Sequence, residues 1–443
     1  MKSIILTAFQ KFDRSQSLGG LLLFGATVVA LIFANTQLGD FYESLRGTIL
    51  GFEAGSFSLK KPLLLWVNDG LMAIFFFMIG LEIKRELMIG ELNSPSKAAL
   101  PLVAALGGML VPVVFYLVLN RNPQVSNGWG IPMATDIAFS LAILKLLGNR
   151  VPVGLKVFLA AFAILDDIGA VLVIALFYSS SIDWMMLAWA AIPMSLLVFL
   201  NLKNLFPKYL HLACSAIIWY FFLKSGIHPT IAGVLLAFTV PLRQKTDAHT
   251  FTEEMCRIAD EFREHDTDPS PMLTPEQIER IDDIEQWTEK VQSPLQHLEH
   301  VLHGWVAMFI MPVFAFFNAG VAFSAGMNPD LPLITSLAVS LFLGKTIGVT
   351  LFSYAGLKLK LATLPQGVTF RQIFGTAMLA GVGFTMSMFI ASLAFSGAAD
   401  LMDSAKIGIM GGSLVSGVGG YLTLRLCRKS TDNTATRDRK EEE

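Results

Sequence analysis

The sequence predicts an all-α polytopic membrane protein with about 12 transmembrane helices. Its 443 residues are 53% hydrophobic and only 15% charged, well below the roughly 25% of charged residues in a typical soluble domain. Apolar runs long enough to cross a bilayer recur along the whole chain. In the middle of one such run, residues 158–177, lie two adjacent carboxylates, Asp166 and Asp167. Each costs roughly 2.5–3.5 kcal/mol at the centre of a membrane, so the pair indicates a functional site.

The apolar runs define the predicted spans in order. The first run, residues 18–33, could pass for a signal peptide, but the later spans favour a retained first helix. These later spans are residues 62–83, 97–119, 126–147, 153–178, 182–201, 205–223, 226–242, 301–323, 332–356, 370–397 and 404–427. Most lysines and arginines then fall in the loops on the side of both termini. By the positive-inside rule this side is the cytoplasm, so both termini of the multi-pass protein are expected to face it.

Residues 1–443 are expected to form one membrane domain with two unusual loops and a tail. The external loop 36–61 carries turn signals at Gly51 and Gly55, which favour a hairpin or a disordered loop. The cytoplasmic loop 243–296 is acidic, and Thr274 and Gln277 have the residue types of a capping box. We therefore expect one or two short surface helices there. Residues 430–443 have the composition of a disordered tail.

Glycines and a proline interrupt two of the predicted spans. The fourth span has Gly128, Gly130 and Pro132 shortly before Asp136, and the eleventh has Gly375, Gly381 and Gly383. Such interruptions predict helices broken near mid-membrane, although glycine-rich packing of unbroken helices is the alternative. Spans 3–5 and 10–12 would then form two units of opposite orientation. Inverted repeats with two broken helices that cross at mid-membrane are typical of transporters.

The ionisable residues inside spans are few, and each has a candidate role. Asp136 is suited to offset the positive ends of the half-helices, and Lys345 the negative ends. Lys345 could instead pair with Asp166 or Asp167, and the sequence does not choose. Asp69 is near the outer end of its span, as expected of a residue in an outer vestibule. Glu82 belongs to a charge cluster at a helix end, for which surface pairing is the simpler explanation.

The acidic pair predicts competition between a cation and protons. A carboxylate in a medium of low dielectric constant binds its proton more tightly than in water. A hard cation such as Na+ prefers oxygen ligands, which Asp166, Asp167 and the Thr135 hydroxyl could supply. If two protons replace one monovalent cation, the exchange is electrogenic. Because protons win the competition at acid pH, transport should rise with pH.

The sequence gives no sign of a cofactor. Its three cysteines, Cys214, Cys256 and Cys427, fit neither a disulfide framework nor a metal site. From the acidic pair and the apolar composition, the expected partners are Na+, H+ and the lipid bilayer, with no nucleic acid. Two other functions would use some of the same residues or helices. An intramembrane aspartyl protease would use Asp136 and Asp167 as a dyad, but it leaves the buried lysine without a role. A cation-coupled symporter of an organic solute would fit the same broken helices.

Eight motifs, taken together, resemble the bacterial NhaA-type sodium/proton antiporter family over nearly the whole chain. They are Trp66-Val-Asn-Asp69, Gly80-Leu-Glu82-Ile-Lys84-Arg85-Glu86, Ala134-Thr135-Asp136-Ile-Ala-Phe139, Asp166-Asp167-Ile-Gly169, Leu298-Glu299-His300-Val-Leu-His303, Phe314-Ala-Phe-Phe-Asn318-Ala-Gly320, Gly344-Lys345 and Gly383-Phe384-Thr385-Met-Ser387-Met-Phe-Ile-Ala-Ser392.

The resemblance implies a location in the bacterial inner membrane and specific roles for these residues. Asp167 would be the main carboxylate for the cation and the proton, with Asp166 beside it and in contact with Lys345. Asp136 and Thr135 would line the crossing of the broken helices. The resemblance also implies a homodimer that meets through the external hairpin, and a pH response linked to six residues: Glu82, Arg85, Glu299, His300, His303 and His228. The chain departs from the family in its longer acidic loop and in Pro229, which follows His228.

Overall fold

The computed structural model confirms an all-α polytopic membrane protein. It describes residues 2–54, 57–179, 181–244, 246–264, 272–323 and 329–427. The tail predicted for residues 430–443 lies outside these described residues, and so does the turn of the predicted hairpin.

The described residues up to Leu119 contain four α-helices and one small sheet. The helices are α1 (Lys2–Ala34), α2 (Gly39–Gly47), α3 (Leu63–Met88) and α4 (Pro95–Leu119). Strands β1 (Ile49–Ala54) and β2 (Phe57–Pro62) pair antiparallel, with Ile49 opposite Pro62 and Phe52 opposite Leu59. The helix α2, which precedes this hairpin, was not predicted. Its nine residues are too few to show a clear hydrophobic period.

The middle of the chain begins with the first broken helix. It consists of a 3-10 segment, Pro123–Met133, and α5 (Ile137–Leu146), which meet at a bend of 47°. The next helices are α6 (Val153–Phe177), α7 (Trp184–Leu202), α8 (Lys208–Ser225) and α9 (Pro229–Phe238). The acidic loop contains α10 (Ala248–Glu264) and α11 (Pro275–Val291). The capping box predicted at Thr274 is present, because its hydroxyl accepts the Gln277 N–H while the Gln277 side chain accepts the Thr274 N–H.

The C-terminal part begins with α12 (Pro294–Ala319) and α13 (Leu331–Lys358). The second broken helix follows as α14 (Phe370–Ala380) and α15 (Phe384–Ala394), bent by 41°, and the described chain closes with α16 (Ala399–Leu426). The breaks predicted before Asp136 and at Gly381–Gly383 are thus confirmed. Helix α14 continues without interruption through Gly375, because this glycine packs against Leu424 of α16 instead of ending the helix.

The predicted number of twelve spans is not reached by length and apolarity alone. Within the described residues, seven helices are long and apolar enough to cross a membrane, and ten spans result if each strongly bent pair is counted as one. The helices α8 and α9 occupy the seventh and eighth predicted spans, but α8 fails this test and α9 has only ten residues. The count of twelve therefore stays a prediction.

The site-bearing helices approach closely through glycines. Helices α4 and α13 pack along each other, and a Cβ atom on Gly107 or Gly348 would collide with the carbonyl group of the other. Only glycine permits such a contact between two helix backbones. Lys345 is one turn before Gly348 on α13, so this approach places the lysine deep in the bundle, where its side chain is completely buried.

Candidate functional site

The two broken helices cross at their unwound segments. The Asp136 backbone N–H donates to the Val382 carbonyl at 2.6 Å, so residues 134–136 and 381–383 touch directly. Gly383 is needed at this contact, since a Cβ atom there would lie 2.8 Å from the Ala134 carbonyl oxygen. The crossing brings four helix ends together inside the protein.

Asp136 accepts hydrogen bonds at the amino-terminal ends of α5 and α15, the second halves of the two broken helices. It is the N-cap of α5, and its Oδ1 accepts the Phe139 N–H at 3.1 Å. Its Oδ2 accepts the Thr385 N–H at 3.0 Å and the Thr385 hydroxyl at 2.5 Å, in the first turn of α15. The side chain is 1% exposed. A single carboxylate thus lies where two positive helix ends meet, which is the arrangement that the helix dipole favours.

The carbonyl groups at the end of α14 receive donors from the first broken helix. The Thr135 hydroxyl donates to the Ala380 carbonyl and the Ser140 hydroxyl to the Leu379 carbonyl, both at 2.9 Å. The Leu379 carbonyl also accepts the Val382 N–H at 3.0 Å. Lys345 makes no hydrogen bond to these carbonyls in the structure as described. Its suggested role of offsetting negative helix ends by direct contact therefore has no support in the geometry.

Lys345 instead pairs with Asp166 and Thr135. Its Nζ lies 2.8 Å from Asp166 Oδ2 and 2.8 Å from Thr135 Oγ1. The side chains of the ion pair are 0% exposed on both partners. Such a pair holds only while both charges are present, because removal of one leaves the other uncompensated in a medium of low dielectric constant. The other oxygen of Asp166, Oδ1, has no hydrogen-bond partner among the described residues.

Asp167 follows Asp166 on α6 and is 2% exposed. No hydrogen bond or ion pair within the described chain holds its carboxylate. It lies within electrostatic reach of three other acids, Asp166, Asp136 and Glu82. A buried carboxylate surrounded by acids and without a fixed donor is a ready ligand for a cation or a proton.

Glu82, Arg85 and Glu299 form a second charged group between helices α3 and α12. The Arg85 Nε lies 3.0 Å and 2.9 Å from the two carboxylate oxygens of Glu299, and one terminal nitrogen lies 2.7 Å from Glu86. Pairing across helices, and not only at the surface, thus explains this cluster. His300 is exposed and His303 half-buried on the same helix as Glu299.

His228 lies apart from the other residues linked to pH response, beside Asp69. The His228 Nε2 is 3.5 Å from one Asp69 oxygen, and Lys61 of β2 lies 2.5 Å from the other. The Trp219 indole N–H donates to the Asp69 carbonyl at 3.0 Å. Asp69 is therefore packed beneath the hairpin and paired, where a solvated vestibule residue was expected.

The burial of two lysines, Lys84 and Lys406, was not predicted from the sequence. Lys84 was interpreted as part of a surface cluster, and this was wrong: it is 9% exposed and donates to the Phe238 and Val240 carbonyls at 2.8 and 2.6 Å. Lys406, at the start of the predicted span 404–427, was given no role from the sequence, but it is 2% exposed, donates to the Gly320 carbonyl at 3.0 Å and pairs with Asp403 at 2.9 Å. Each lies near the C-terminal end of another helix, where lysine satisfies free carbonyls. A lysine near a span end and followed by apolar residues is the signal that could have found Lys406, whereas Lys84 lies in a charged run that gives no such signal.

The buried amides Asn68 and Asn318 were also missed as partners. They exchange hydrogen bonds of 3.2 and 2.8 Å between α3 and α12. They lie 250 positions apart in the chain, so only a long-range signal could have paired them.

Comparisons with known proteins find related sequences over nearly the whole chain. Residues 10–424 match the family model described as Na+/H+ antiporter 1. The chain is 46% identical over 428 residues to the Na(+)/H(+) antiporter NhaA of Oleidesulfovibrio alaskensis, covering 95% of this chain and 94% of that protein. It is 46% identical over 421 residues to a protein of the same name from Shewanella amazonensis, covering 94% and 96%. Another from Bacteroides fragilis is 43% identical over 428 residues, covering 95% and 98%.

Proposed function

Because the chain belongs to the Na+/H+ antiporter 1 family, we propose that it is a secondary antiporter that exchanges cytoplasmic Na+ or Li+ for external H+. The observation that carries this proposal is the carboxylate of Asp167, which is buried, has no fixed partner among the described residues, and adjoins the Lys345–Asp166 pair. Such an exchanger contributes to Na+ and pH homeostasis of the cell.

The exchange rests on competition for the same oxygens. Asp167, Asp166 and the Thr135 hydroxyl are the proposed ligands of Na+, a hard cation that favours oxygen donors. A cation that enters beside Asp166 competes with Lys345 for that carboxylate. Protonation of the carboxylates removes their charge and releases the cation. Since two carboxylates can bind two protons for one cation, the cycle moves net charge, and exchange falls as the solution becomes more acidic.

Asp136 is proposed to stabilise the crossing and not to bind the cation. Both of its oxygens already accept donors from the first turns of α5 and α15. This arrangement also disfavours the aspartyl protease, whose dyad requires two carboxyl groups that share a proton. The remaining alternative, a symporter, is separated by its need for an organic solute.

The direct test measures proton movement in everted membrane vesicles with a dye that is quenched by the pH gradient. Addition of Na+ or Li+ should restore the dye fluorescence, with a larger response at alkaline pH. In proteoliposomes, an imposed membrane potential should change the exchange rate, because the cycle is electrogenic. Absence of any response to Na+, Li+ and K+ from mildly acidic to alkaline pH, with the protein present in the membrane, would overturn the proposal.

The Asp167→Asn variant tests the central residue. We expect loss of exchange, because asparagine keeps the shape but has no charge to attract Na+ and no proton to release. The protein should still accumulate in the membrane and unfold at a normal temperature, since no hydrogen bond or ion pair within the described chain is lost with the Asp167 charge. Exchange that persists in this variant would show that the main cation and proton site lies elsewhere.

A further inference from the structure

Two serine hydroxyls join the broken helices in opposite directions. Ser140, in the first turn of α5, donates to the Leu379 carbonyl at the end of α14 at 2.9 Å. Ser387, in the first turn of α15, donates to the Ile131 carbonyl of the 3-10 segment at 2.8 Å. Both serines are fully buried. Each second half is thus bonded to the first half of the other broken helix.

The two serines occupy the same register. Ser140 lies four residues after Asp136, the N-cap of α5, and Ser387 lies four residues after Gly383, the N-cap of α15. Their backbone N–H groups make the same first helical bond, to the Asp136 carbonyl at 3.0 Å and to the Gly383 carbonyl at 2.7 Å. A hydroxyl at this position of a helix commonly bonds within its own helix. Here both bond across the crossing.

The geometry points to Ser140 and Ser387 as a reciprocal pair of positioning residues that fix how the two broken helices cross, and thereby hold Thr135 against Lys345. This inference deepens the proposed antiport and rests on it. Among the described residues, no hydrogen bond joins either serine to the proposed cation ligands; each acts through the carbonyl that it holds in the opposite helix.

Ser140 acts on the cation site through the end of α14. The carbonyl of Leu379, which Ser140 holds, is adjacent in sequence to that of Ala380, which Thr135 holds. A shift of this helix end therefore moves the Thr135 hydroxyl, whose oxygen accepts Lys345 at 2.8 Å. The Lys345 ammonium is shared between Thr135 and Asp166, so a displaced Thr135 changes the strength with which Lys345 competes for Asp166.

Ser387 supplies the corresponding bond on the other side of the crossing. It ties α15 to Ile131, and α15 also carries Thr385, which donates to Asp136. The backbone at Gly383 packs closely against its neighbours, because a Cβ atom on it would collide with the Ser387 hydroxyl and lie 2.8 Å from the Ala134 carbonyl oxygen. The two serines therefore fix the crossing from both directions.

The test compares alanine and threonine at each serine in full-length protein in proteoliposomes. Ser140→Ala and Ser387→Ala should each raise the KM for Na+ about three- to tenfold, the range of one hydrogen bond between membrane helices, with a smaller change in maximal rate. Ser140→Thr and Ser387→Thr keep the hydroxyl and should restore the KM. The matched control is Ser392→Ala, on the same helix α15, because the Ser392 hydroxyl bonds only to Phe389 of its own helix at 2.7 Å.

The outcomes separate this inference from the proposed function. Wild-type protein without exchange of any ion would overturn the antiport itself. Wild-type exchange with an unchanged KM in both alanine variants would overturn the serine pair alone. A fall in unfolding temperature without a change in KM would show a merely structural role and also reject it. If an alanine variant fails to accumulate, the cysteine variant at the same position (Ser140→Cys or Ser387→Cys), which keeps the size but donates only weakly, replaces it: a raised KM supports the inference, and a wild-type KM contradicts it.

Discussion

Three buried lysines each bond to a helix other than their own. Lys345 of α13 pairs with Asp166 of α6, whereas Lys84 and Lys406 donate to carbonyl groups near the ends of α9 and α12. Lys406 also pairs with Asp403 of its own helix at 2.9 Å, but the Asp403 side chain is 36% exposed. Of the three lysines, only Lys345 is paired with a completely buried carboxylate, and that carboxylate adjoins Asp167. Lys345 is therefore the lysine whose partner a cation or a proton at the proposed site would affect.

The Lys345–Asp166 pair has a measurable signature in stability. The Lys345→Met variant should lower the free energy of unfolding by about 3–5 kcal/mol, because Asp166 keeps a buried charge without its partner. The double variant Lys345→Met, Asp166→Asn should recover much of this loss, since no uncompensated charge remains. Unfolding temperatures in detergent measure both. Losses that simply add in the double variant would show that the two groups are not coupled.

At the scale of single elements, the ends of helices matter as much as their apolar faces. Helix α9 has only ten residues, begins with Pro229 and ends beside the Lys84 ammonium. A helix this short is marginal by itself and depends on its caps and its packing. The helix ends at the crossing are capped in a similar way, because donors from one broken helix bond to the carbonyls of the other.

Removal of the Lys84 cap should destabilise the protein. Lys84→Met leaves the Phe238 and Val240 carbonyls without this donor, and we expect a loss of about 1–3 kcal/mol in the free energy of unfolding. The matched control is Lys97→Met, whose surface pair with Glu91 has side chains 61% and 45% exposed and should contribute about 0–1 kcal/mol. Unfolding temperatures of the two variants in detergent check the difference. Equal effects would contradict the capping role.

At the scale of the whole molecule, the sidedness of the chain follows from its basic residues. The uneven distribution of lysine and arginine predicts that both termini and the acidic loop face the cytoplasm. The homodimer through hairpin β1–β2 likewise stays a prediction, since it was inferred from the family resemblance.

An exposed natural cysteine allows the orientation to be tested. Cys256 lies exposed on α10 in the acidic loop. In a variant whose other two cysteines are replaced, a membrane-impermeant thiol reagent should label Cys256 in everted vesicles and not in right-side-out vesicles. A Gln37→Cys variant without other cysteines, between α1 and α2, should show the reverse pattern. Labelling of both positions from the same side would refute the topology.

The sequence predicted those features that depend on local chemistry. Helices, helix breaks and one cap were predicted because each depends on residues that are close together in the sequence. Their signals are the apolar runs, the glycines before Asp136, and the cap-forming residues Thr274 and Gln277. The partner of Lys345 was left open because Asp166 lies 179 positions away and Asp167 is its neighbour. Lys84 was misplaced for a related reason: a lysine in a charged run looks solvated until the carbonyls of α9 are known. The function was predicted from the eight motifs taken together, and the proposed roles of the site residues stay predictions.

Three of the long helices contain one wide π turn each, at Val67–Leu71, Val306–Ile310 and Ser340–Gly344. A π turn holds one residue more than an α turn, and each residue turns a helix by roughly 100°. The third of these turns comes immediately before Lys345. The wide turn absorbs its extra residue locally, so loss of one amino acid within it would restore regular α geometry and leave Lys345 facing α6, whereas loss of one residue from the regular part of α13 before it would rotate the ammonium about a quarter of the way around the helix axis. Homologues without this turn should therefore be one residue shorter in this stretch and still carry the lysine on the same face.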